Sequence, residues 1–547
     1  MTSVALPEWP WQVVQRVAVE RGVHLWPVGG AVRDALLGRP IHDWDFAVER
    51  DALGLARAVA DALGGDFYPL DAERDTGRVI LKTESGARLE LDFAVLRGDT
   101  LEADLAARDF TINALAVDED NVPVDPTGGL ADLEARRVRA VSEHAFRDDP
   151  LRLLRAVRVE AELGFEIEPQ TTAWILRDAP LLAQPSAERL RDEFVRLLAL
   201  PGAAASVQRL DEFGLLVHVI PELEPLKGVM QSPPHTLDVW QHTLATVDAL
   251  EGIIAATCSN VTVQPADSLE RLSHDVEQAF RPADSLERLS HDVEQAFRPA
   301  DSLGRLSHDA EQAFQPAVWG DLARVLGQFA GDLCAHLAVE VSGGRDRATL
   351  LKLAALLHDV GKPQTRSQDE DGCIHFYNHE LVGRSLAAAR MERLRFSRDE
   401  VERMRVLVGQ HLRPAFLAQG GLLTRRAVYR YFRATGCAGI DVVLLALADH
   451  LAIWGSRLEE ARWARLLDVA EMLLTHWFER YEETVAPPPL LTGGDVMAAL
   501  GLEPGPQIGR LLESLREAQA AGEVRTRGEA LTLVKRIVES KGFDGGS

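Results

Sequence analysis

The sequence predicts a small α/β domain at the N-terminus followed by an almost wholly helical chain, and three observations carry that reading. Strand-like and helix-like runs alternate up to about residue 140. From about Asp148 onward, leucines and alanines recur at spacings of three and four. A chain of 547 residues, at roughly 150 residues per domain, calls for about three or four domains. In the first part an apolar stretch runs into Gly29-Gly30, a strand is expected around Trp44 to Val48, a helix near Leu53 to Leu63, and strands near Val79 to Lys82 and Leu89 to Val95. At the other end, Thr492-Gly493-Gly494-Asp495 and Pro504-Gly505-Pro506 are turn signals around two amphipathic helices, which reads as a small closing module.

A composition of 46% hydrophobic and 26% charged residues is that of a soluble globular protein. No apolar stretch comes near the roughly 20 residues of a membrane span, and Met1 to Pro10 lacks the pattern of an export signal. A cytoplasmic protein with no membrane partner is the expectation; the oligomeric state is not legible. The four cysteines, Cys258, Cys334, Cys373 and Cys437, are widely spaced without a Cys-x-x-Cys and read as reduced core thiols. A formal charge of −25 runs against indiscriminate binding to a phosphate backbone, so a nucleic-acid partner must meet a local basic surface.

Between Pro265 and Pro316 the unit PADSLERLSHDVEQAFR occurs three times, starting at Pro265, Pro282 and Pro299. The first two copies are identical, the mark of a recent tandem duplication rather than an old solenoid. Its His-Asp pairs (His274-Asp275, His291-Asp292, His308-Asp309) resemble metal ligands, but duplication alone explains their recurrence.

Gly29-Gly30 lies between an apolar strand and a helix, where bare N–H groups and a helix N-terminus can approach a triphosphate. Downstream, Asp43 and Asp45 share one face of a strand by the Asp-x-Asp spacing. Two carboxylates held together repel unless a cation lies between them, which makes a divalent metal the natural third party. Asp92, in Leu89-Glu90-Leu91-Asp92-Phe93, supplies a third acid. Such a set suits two-metal nucleotidyl transfer, in which one ion activates a 3′-hydroxyl and the other neutralises pyrophosphate.

Taken together, Gly29-Gly30-x-Val32-Arg33-Asp34, Gly38-x-x-x-x-Asp43-x-Asp45, Arg108-Asp109-Phe110-Thr111-Ile112-Asn113-Ala114-Leu115 and Asp148-Asp149-Pro150-Leu151-Arg152-Leu153-Leu154-Arg155 resemble the class II tRNA nucleotidyltransferase and bacterial poly(A) polymerase family over residues 25 to 225. The resemblance implies a polymerase-β-like head, Mg²⁺ held by Asp43 and Asp45, catalysis by Asp43, Asp45 and Asp92, and CTP or ATP as substrates for extending a tRNA 3′ end. It further implies nucleotide binding by Gly29, Gly30, Arg33, Arg108, Asp109, Asn113, Asp149, Arg152, Arg155 and Arg158. Arg108 and Asp109 match the ribose-reading motif, and Asp149 and Arg152 match the pair that hydrogen-bonds the base edge.

The chain departs from the family pattern in three places. Ala107 replaces the first arginine of Arg-Arg-Asp, Asp148 replaces a glutamate, and the connection from Arg97 to Leu105 is very short. Relatives that add the complete CCA carry a longer flexible loop there and CC-adding members lack it, so the expectation is CC addition, with CCA-adding, A-adding and poly(A) enzymes as rivals. Arg147, Arg152, Arg155, Arg158, Arg189, Arg191 and Arg196 on the helical neck supply the missing basic surface, with Arg155 and Arg158 read alternatively as snorkelling surface residues.

A second constellation begins at His358-Asp359, which closes the apolar run LLKLAALL and precedes Gly361-Lys362-Pro363. His242 lies upstream, and His379, His411 and Asp449 downstream. Imidazole and carboxylate ligands suit a divalent transition metal or Mg²⁺ rather than a thiolate-loving ion. These positions resemble the HD phosphohydrolase superfamily, which implies that His242, His358, Asp359 and Asp449 hold one metal, with His379 and His411 as second-site ligands. The expected division is a head at 1–140, a neck at 141–225, an HD domain at 226–485 with an insertion at about 259–345, and a helical module at 486–547. A rival of another class is an HD phosphohydrolase whose head binds RNA without catalysis.

Overall fold

The computed structural model describes residues 4–41, 43–82, 88–258, 316–421, 423–454 and 458–541, and divides into two compact units at Pro221/Glu222. The repeats, with their His-Asp pairs, lie outside the described residues.

The first unit is built on a sheet of β1 (Leu25–Val28), β2 (Asp43–Val48), β3 (Asp66–Asp71), β4 (Thr76–Lys82), β5 (Arg88–Val95), β6 (Ala116–Val117) and β7 (Pro123–Val124), in the order β3-β4-β5-β2-β1-β6-β7. The expected strands and the helix Ala52–Leu63 are all present, each longer by one to three residues at its start. Alternation along β2 explains the placement of the acids: Trp44, Phe46 and Val48 are buried, while Asp43 is exposed and Asp45 half-buried. Trp44, Phe46, Leu91 and Phe93 join Leu55, Ala56 and Val59 of that helix in one core, with the Phe46 and Phe93 rings 4.9 Å apart. Each such side chain stabilises the sheet by roughly 1.5–3 kcal/mol through burial, and this fixes which face is left to the carboxylates. β2 and β5 are parallel, with Asp43 opposite Glu90 and Asp45 opposite Asp92. Helices Arg152–Leu163, Ala187–Ala199 and Ala203–Glu212 are among those that follow the sheet in this unit.

The second unit is helical apart from two small two-stranded sheets. Helix Gly439–Trp454, with the helix before it, is long and apolar enough to cross a membrane by composition, yet 78% of its most apolar window is buried inside the fold. It is a core helix carrying Asp449. The C-terminal module packs Leu491, Val496, Leu511, Leu515 and Val534 into a core of its own.

Within the span expected for the insertion, about 259–345, residues 316–338 form the helices Pro316–Leu326 and Ala330–Ala338, and Leu322, Val325, Phe329, Leu333 and Leu337 are buried in the unit. One expectation is corrected here. The cysteines are not all reduced core thiols: Cys258 and Cys334, 76 positions apart, form a disulfide, and Cys373 is exposed. Their helices meet only in the folded chain, which spacing along the sequence does not reveal.

Candidate functional site

In the first unit the Gly29-Gly30 turn follows β1 directly, and Val28 lies opposite Asp45 in the antiparallel pair. Gly29 has φ +73°, and a Cβ there would lie 2.8 Å from Nη1 of Arg108 and 3.3 Å from Oδ2 of Asp45. Only glycine lets the guanidinium and the carboxylate close on this turn. Burial pushes the Asp45 carboxyl up to about 6; Arg108 opposes the rise, and Asp92 and Asp43 reinforce it. No cation of the described residues is ion-paired with Asp45. A half-buried acid in the field of two others suits a divalent ion, so the residues present fit the metal that the resemblance implies.

Asp92 is placed differently from its strand neighbour. Arg78 grips it with Nε–Oδ1 at 2.7 Å and Nη2–Oδ2 at 2.8 Å, and also pairs with Glu90 at 2.5 Å. The third acid therefore already carries a guanidinium, a partner that the strand spacing gave no means of finding.

The nucleotide-binding candidates are joined in a ring of polar contacts. Arg33 donates to Oδ1 of Asn113 at 2.9 Å, Asn113 donates to Asp109 at 3.1 Å, and Arg155 donates to Asp109 at 3.1 Å. Arg155 lies 3.9 Å from Glu193, Arg158 donates to Glu193 at 2.6 Å and to Glu162 at 2.8 Å, and Glu162 returns to Arg33 at 3.5 Å. Burial raises the Asp109 carboxyl, but Arg155, the Phe110 N–H and Asn113 outweigh it and hold the group below its ordinary value. Glu162 and Glu193 were missed because a glutamate on a helix normally signals only a wet face.

Asp149 and Arg152 do not bond side chain to side chain. Asp149 accepts from Arg189 at 2.8 Å, and Arg152 donates to the carbonyls of Ala107, Arg108 and Ala145. Most neck arginines are thus engaged in the fold, Arg191 with Asp192 included. The neck is a braced surface rather than a field of free cations.

In the second unit His242, His358 and Asp449 converge, as do Asp359, His379 and His411, with the ligand atoms of each trio within 4.8 Å of one another. They arrive from five places: the start of helix Val239–Cys258, the end of helix Arg347–Leu357, the first residue of helix His379–Arg393, the residue after helix Arg398–Gln410, and helix Gly439–Trp454. Nδ1 of His358, His379 and His411 each lies 2.8 Å from the carbonyl three residues earlier. That contact fixes the tautomer and turns Nε2 inward. The Nε2 atoms of His242, His358, His379 and His411 are buried without a hydrogen-bond partner of acceptable geometry. Buried ring nitrogens left in this state are costly unless a cation takes them.

Asp359 stands between the trios. Its Oδ2 lies 3.1 Å from His358 and 3.5 Å from His242, and its Oδ1 lies 3.3 Å from His379 and 4.0 Å from His411. Although burial opposes it, His358 and Lys362 hold this carboxyl well below the usual range. One carboxylate facing two imidazole pairs fits a two-ion centre. Sequence reading missed Lys362, whose buried ammonium lies 2.6 Å from Asp359 and 2.7 Å from Oε1 of Gln231. It also missed His235, whose ring lies 5.6 Å from that of His242. Lys362 follows the His-Asp pair by three residues and was legible; Gln231 and His235 were not.

The comparisons with known proteins agree with this layout. Residues 25–139 match the poly A polymerase head domain, residues 164–227 the probable RNA and SrmB-binding site of polymerase A, and residues 326–454 the HD domain. The A-adding tRNA nucleotidyltransferase of Deinococcus radiodurans is 35% identical over 94% of this chain and 95% of its own. The CC-adding enzyme of Geobacter sulfurreducens is 33% identical over 95% and 93%. Solved structures of a CCA-adding enzyme with ATP and with CTP share the fold at a TM-score of 0.55, with 19% and 20% identity, over 98% and 97% of this chain and 94% of theirs. With a polymerase-β-like head, an HD domain behind it and this extent of identity, the chain belongs to the tRNA nucleotidyltransferase family.

Proposed function

We propose that the head adds cytidylate to the 3′ end of tRNA from CTP, stopping after the second C, and that the HD centre hydrolyses phosphate esters at RNA ends. The observation that carries the first part is the connection between β5, which ends at Val95, and the helix Leu101–Ala106. Five residues cross it, with the Arg97 N–H bonded to Asp104 at 3.0 Å and Thr100 capping the helix. So tight a turn leaves no length for the flexible loop that complete CCA addition uses in relatives.

In this reading Asp43 and Asp45 hold Mg²⁺, which when bound offsets triphosphate charge and makes the RNA 3′-hydroxyl easier to deprotonate. Gly29 and Gly30 present backbone N–H groups to the triphosphate. Asp109, already ordered by Asn113 and Arg155, accepts from the ribose 2′-hydroxyl and so separates ribonucleotides from deoxyribonucleotides. In the second unit the four histidines, Asp359 and Asp449 would hold divalent metal, which supplies an activated water for attack on phosphorus. The buried Lys362 ammonium offsets negative charge beside it.

Transcripts ending before the first C, after C and after CC, each offered one labelled nucleotide, test the first part. Cytidylate enters the first two, and adenylate does not enter the third. Robust adenylate addition to the third overturns the CC reading in favour of A or CCA addition, the A reading having the Deinococcus relative in its support. Incorporation unchanged by Asp43→Ala overturns the head site altogether. For the second unit, hydrolysis of a 2′,3′-cyclic nucleotide is expected and is lost in Asp359→Asn.

A further inference from the structure

The hairpin that joins the His358-Asp359 pair to His379 carries a cation that the fold of the second unit does not use. It leaves the short helix Lys362–Thr365, runs out along Arg366–Gln368 and returns along Ile374–Phe376, just ahead of His379. Arg366 lies opposite Phe376 in the antiparallel pair, and residues so opposed share a face. Two contacts settle which face that is. The Phe376 ring lies 5.6 Å from the Lys362 ammonium, itself 2.6 Å from Asp359, whereas His375 and Tyr377, at alternate positions, stack on each other at 5.1 Å. Arg366 therefore stands on the side of the imidazole centre. The hairpin is pinned there by the Ile374 N–H on Oγ of Ser232 at 2.5 Å, and by the Phe376 carbonyl 2.8 Å from Nδ1 of His379. Elsewhere in the unit carboxylates take up guanidiniums, Glu400 that of Arg345 and Glu222 that of Arg390. Arg366 is exposed, and no acceptor among the described residues holds it.

We propose that Arg366 binds a substrate phosphate beside the imidazole centre and favours a terminal phosphomonoester over a diester. The inference rests on that centre hydrolysing phosphate esters, as proposed above. The Lys362 ammonium is already shared between Asp359 and Gln231. Negative charge brought by a substrate needs a counter-charge of its own, and the planar guanidinium fork matches two phosphate oxygens at once. A monoester carries about −1.5 to −2 at pH 7 and a diester about −1, so the monoester gains more from the fork. Charge also changes along the reaction. When water opens a 2′,3′-cyclic phosphate, its oxygen joins phosphorus, one P–O bond to the sugar breaks and the freed sugar oxygen takes a proton. The product is a monoester that sheds a further proton and gains a negative charge. Arg366 retains that monoester for a second hydrolysis, which leaves inorganic phosphate and the free sugar hydroxyls.

The probes are adenosine 2′,3′-cyclic phosphate, the adenosine 2′- and 3′-monophosphates and inorganic phosphate, with the metal content of each variant measured alongside. Arg366→Ala should lower kcat/KM for the monoesters about tenfold or more, and for the cyclic ester about threefold or less. It should also weaken phosphate binding in calorimetry by about tenfold, and let monoester accumulate from the cyclic ester where the wild type carries through to adenosine. Arg366→Lys, which keeps the charge without the fork, should recover part of the monoester rate and serves if the alanine variant does not fold. Equal losses on the two kinds of ester, or a phosphate affinity unchanged in both variants, overturn the proposal. So does a fall in bound metal, which would make the arginine a support for the ligand set. If the wild type binds phosphate through Arg366 yet hydrolyses neither kind of ester, the hydrolytic reading fails and the phosphate grip stands.

Discussion

Strand β2 offers Asp43 and Asp45 from one pleated face, two positions apart, whereas the centre of the second unit draws six ligands from five helical segments far apart in the chain. The strand pair needs only a register: parallel pairing with β5 brings Asp92 alongside, and Arg78 and Arg108 temper the charge. The imidazole centre needs the whole tertiary fold, and the rings of His358, His379 and His411 are each oriented by a carbonyl three residues earlier before any ion arrives. Nucleotide transfer has to admit and release metal with each triphosphate, which suits partly exposed acids; the hydrolysis proposed for the second unit would gain from ligands that stay in place.

The largest effects expected from this contrast are reciprocal. Asp45→Asn should lower nucleotide incorporation by roughly 10²–10³-fold while leaving hydrolysis by the HD centre intact, and Asp359→Asn should do the opposite and empty that centre of metal on elemental analysis. A variant that abolishes both activities would mean the two sites are not independent and would break the comparison.

A smaller effect bears on what holds the imidazole centre together. Asp441, in the same helix as Asp449, pairs with His336 at 2.7 Å and Arg403 at 2.9 Å, and Arg347 lies 3.0 Å from the His336 ring. Burial raises the Asp441 carboxyl, but His336, Arg347 and Arg403 outweigh it and lower the group; burial also lowers His336, against the pull of Asp441. In the unfolded chain both groups bind protons more readily. Stability therefore declines as pH falls through about 6.5 on account of His336, and further below about 4 as Asp441 takes its proton. Unfolding midpoints of the second unit between pH 7 and pH 3.5 should follow that course, and Asp441→Asn should cost about 3 kcal/mol at pH 7 and flatten the acid limb. A midpoint insensitive to pH would remove this network as the brace.

Gly29→Ala is expected to be milder in stability, at about 1–3 kcal/mol from the positive φ and the crowding of Arg108, with a loss of incorporation confined to the head. If hydrolysis falls in step, the effect is general misfolding rather than a local one.

Much of this was legible in the sequence for a reason that divides the two sites again. Asp43-x-Asp45, Gly29-Gly30 and His358-Asp359 are local patterns, and a period of two or a helix end puts their groups together without help from the rest of the chain. Arg78 on Asp92, Arg189 on Asp149 and Gln231 on Lys362 are brought together by folding alone. No spacing rule points to them, since an arginine on a helix or strand is most often a solvated side chain. The neck shows the same limit: its run of cations is legible in the sequence, while the carboxylates that pair with most of them are not. The disulfide was hidden in the same way, its halves separated by the duplicated segment.

The ring from Arg33 through Asn113, Asp109, Arg155, Glu193, Arg158 and Glu162 back to Arg33 bears on how such a protein can diverge. Each member serves two neighbours, and replacing Arg155 takes the guanidinium from the buried Asp109, so drift there should favour coupled exchanges on separate helices. Asp109, proposed to select the sugar, and residues that only brace the helices would then inherit change together, and grafting one relative's neck onto another's head should fail unless the whole circuit travels with it.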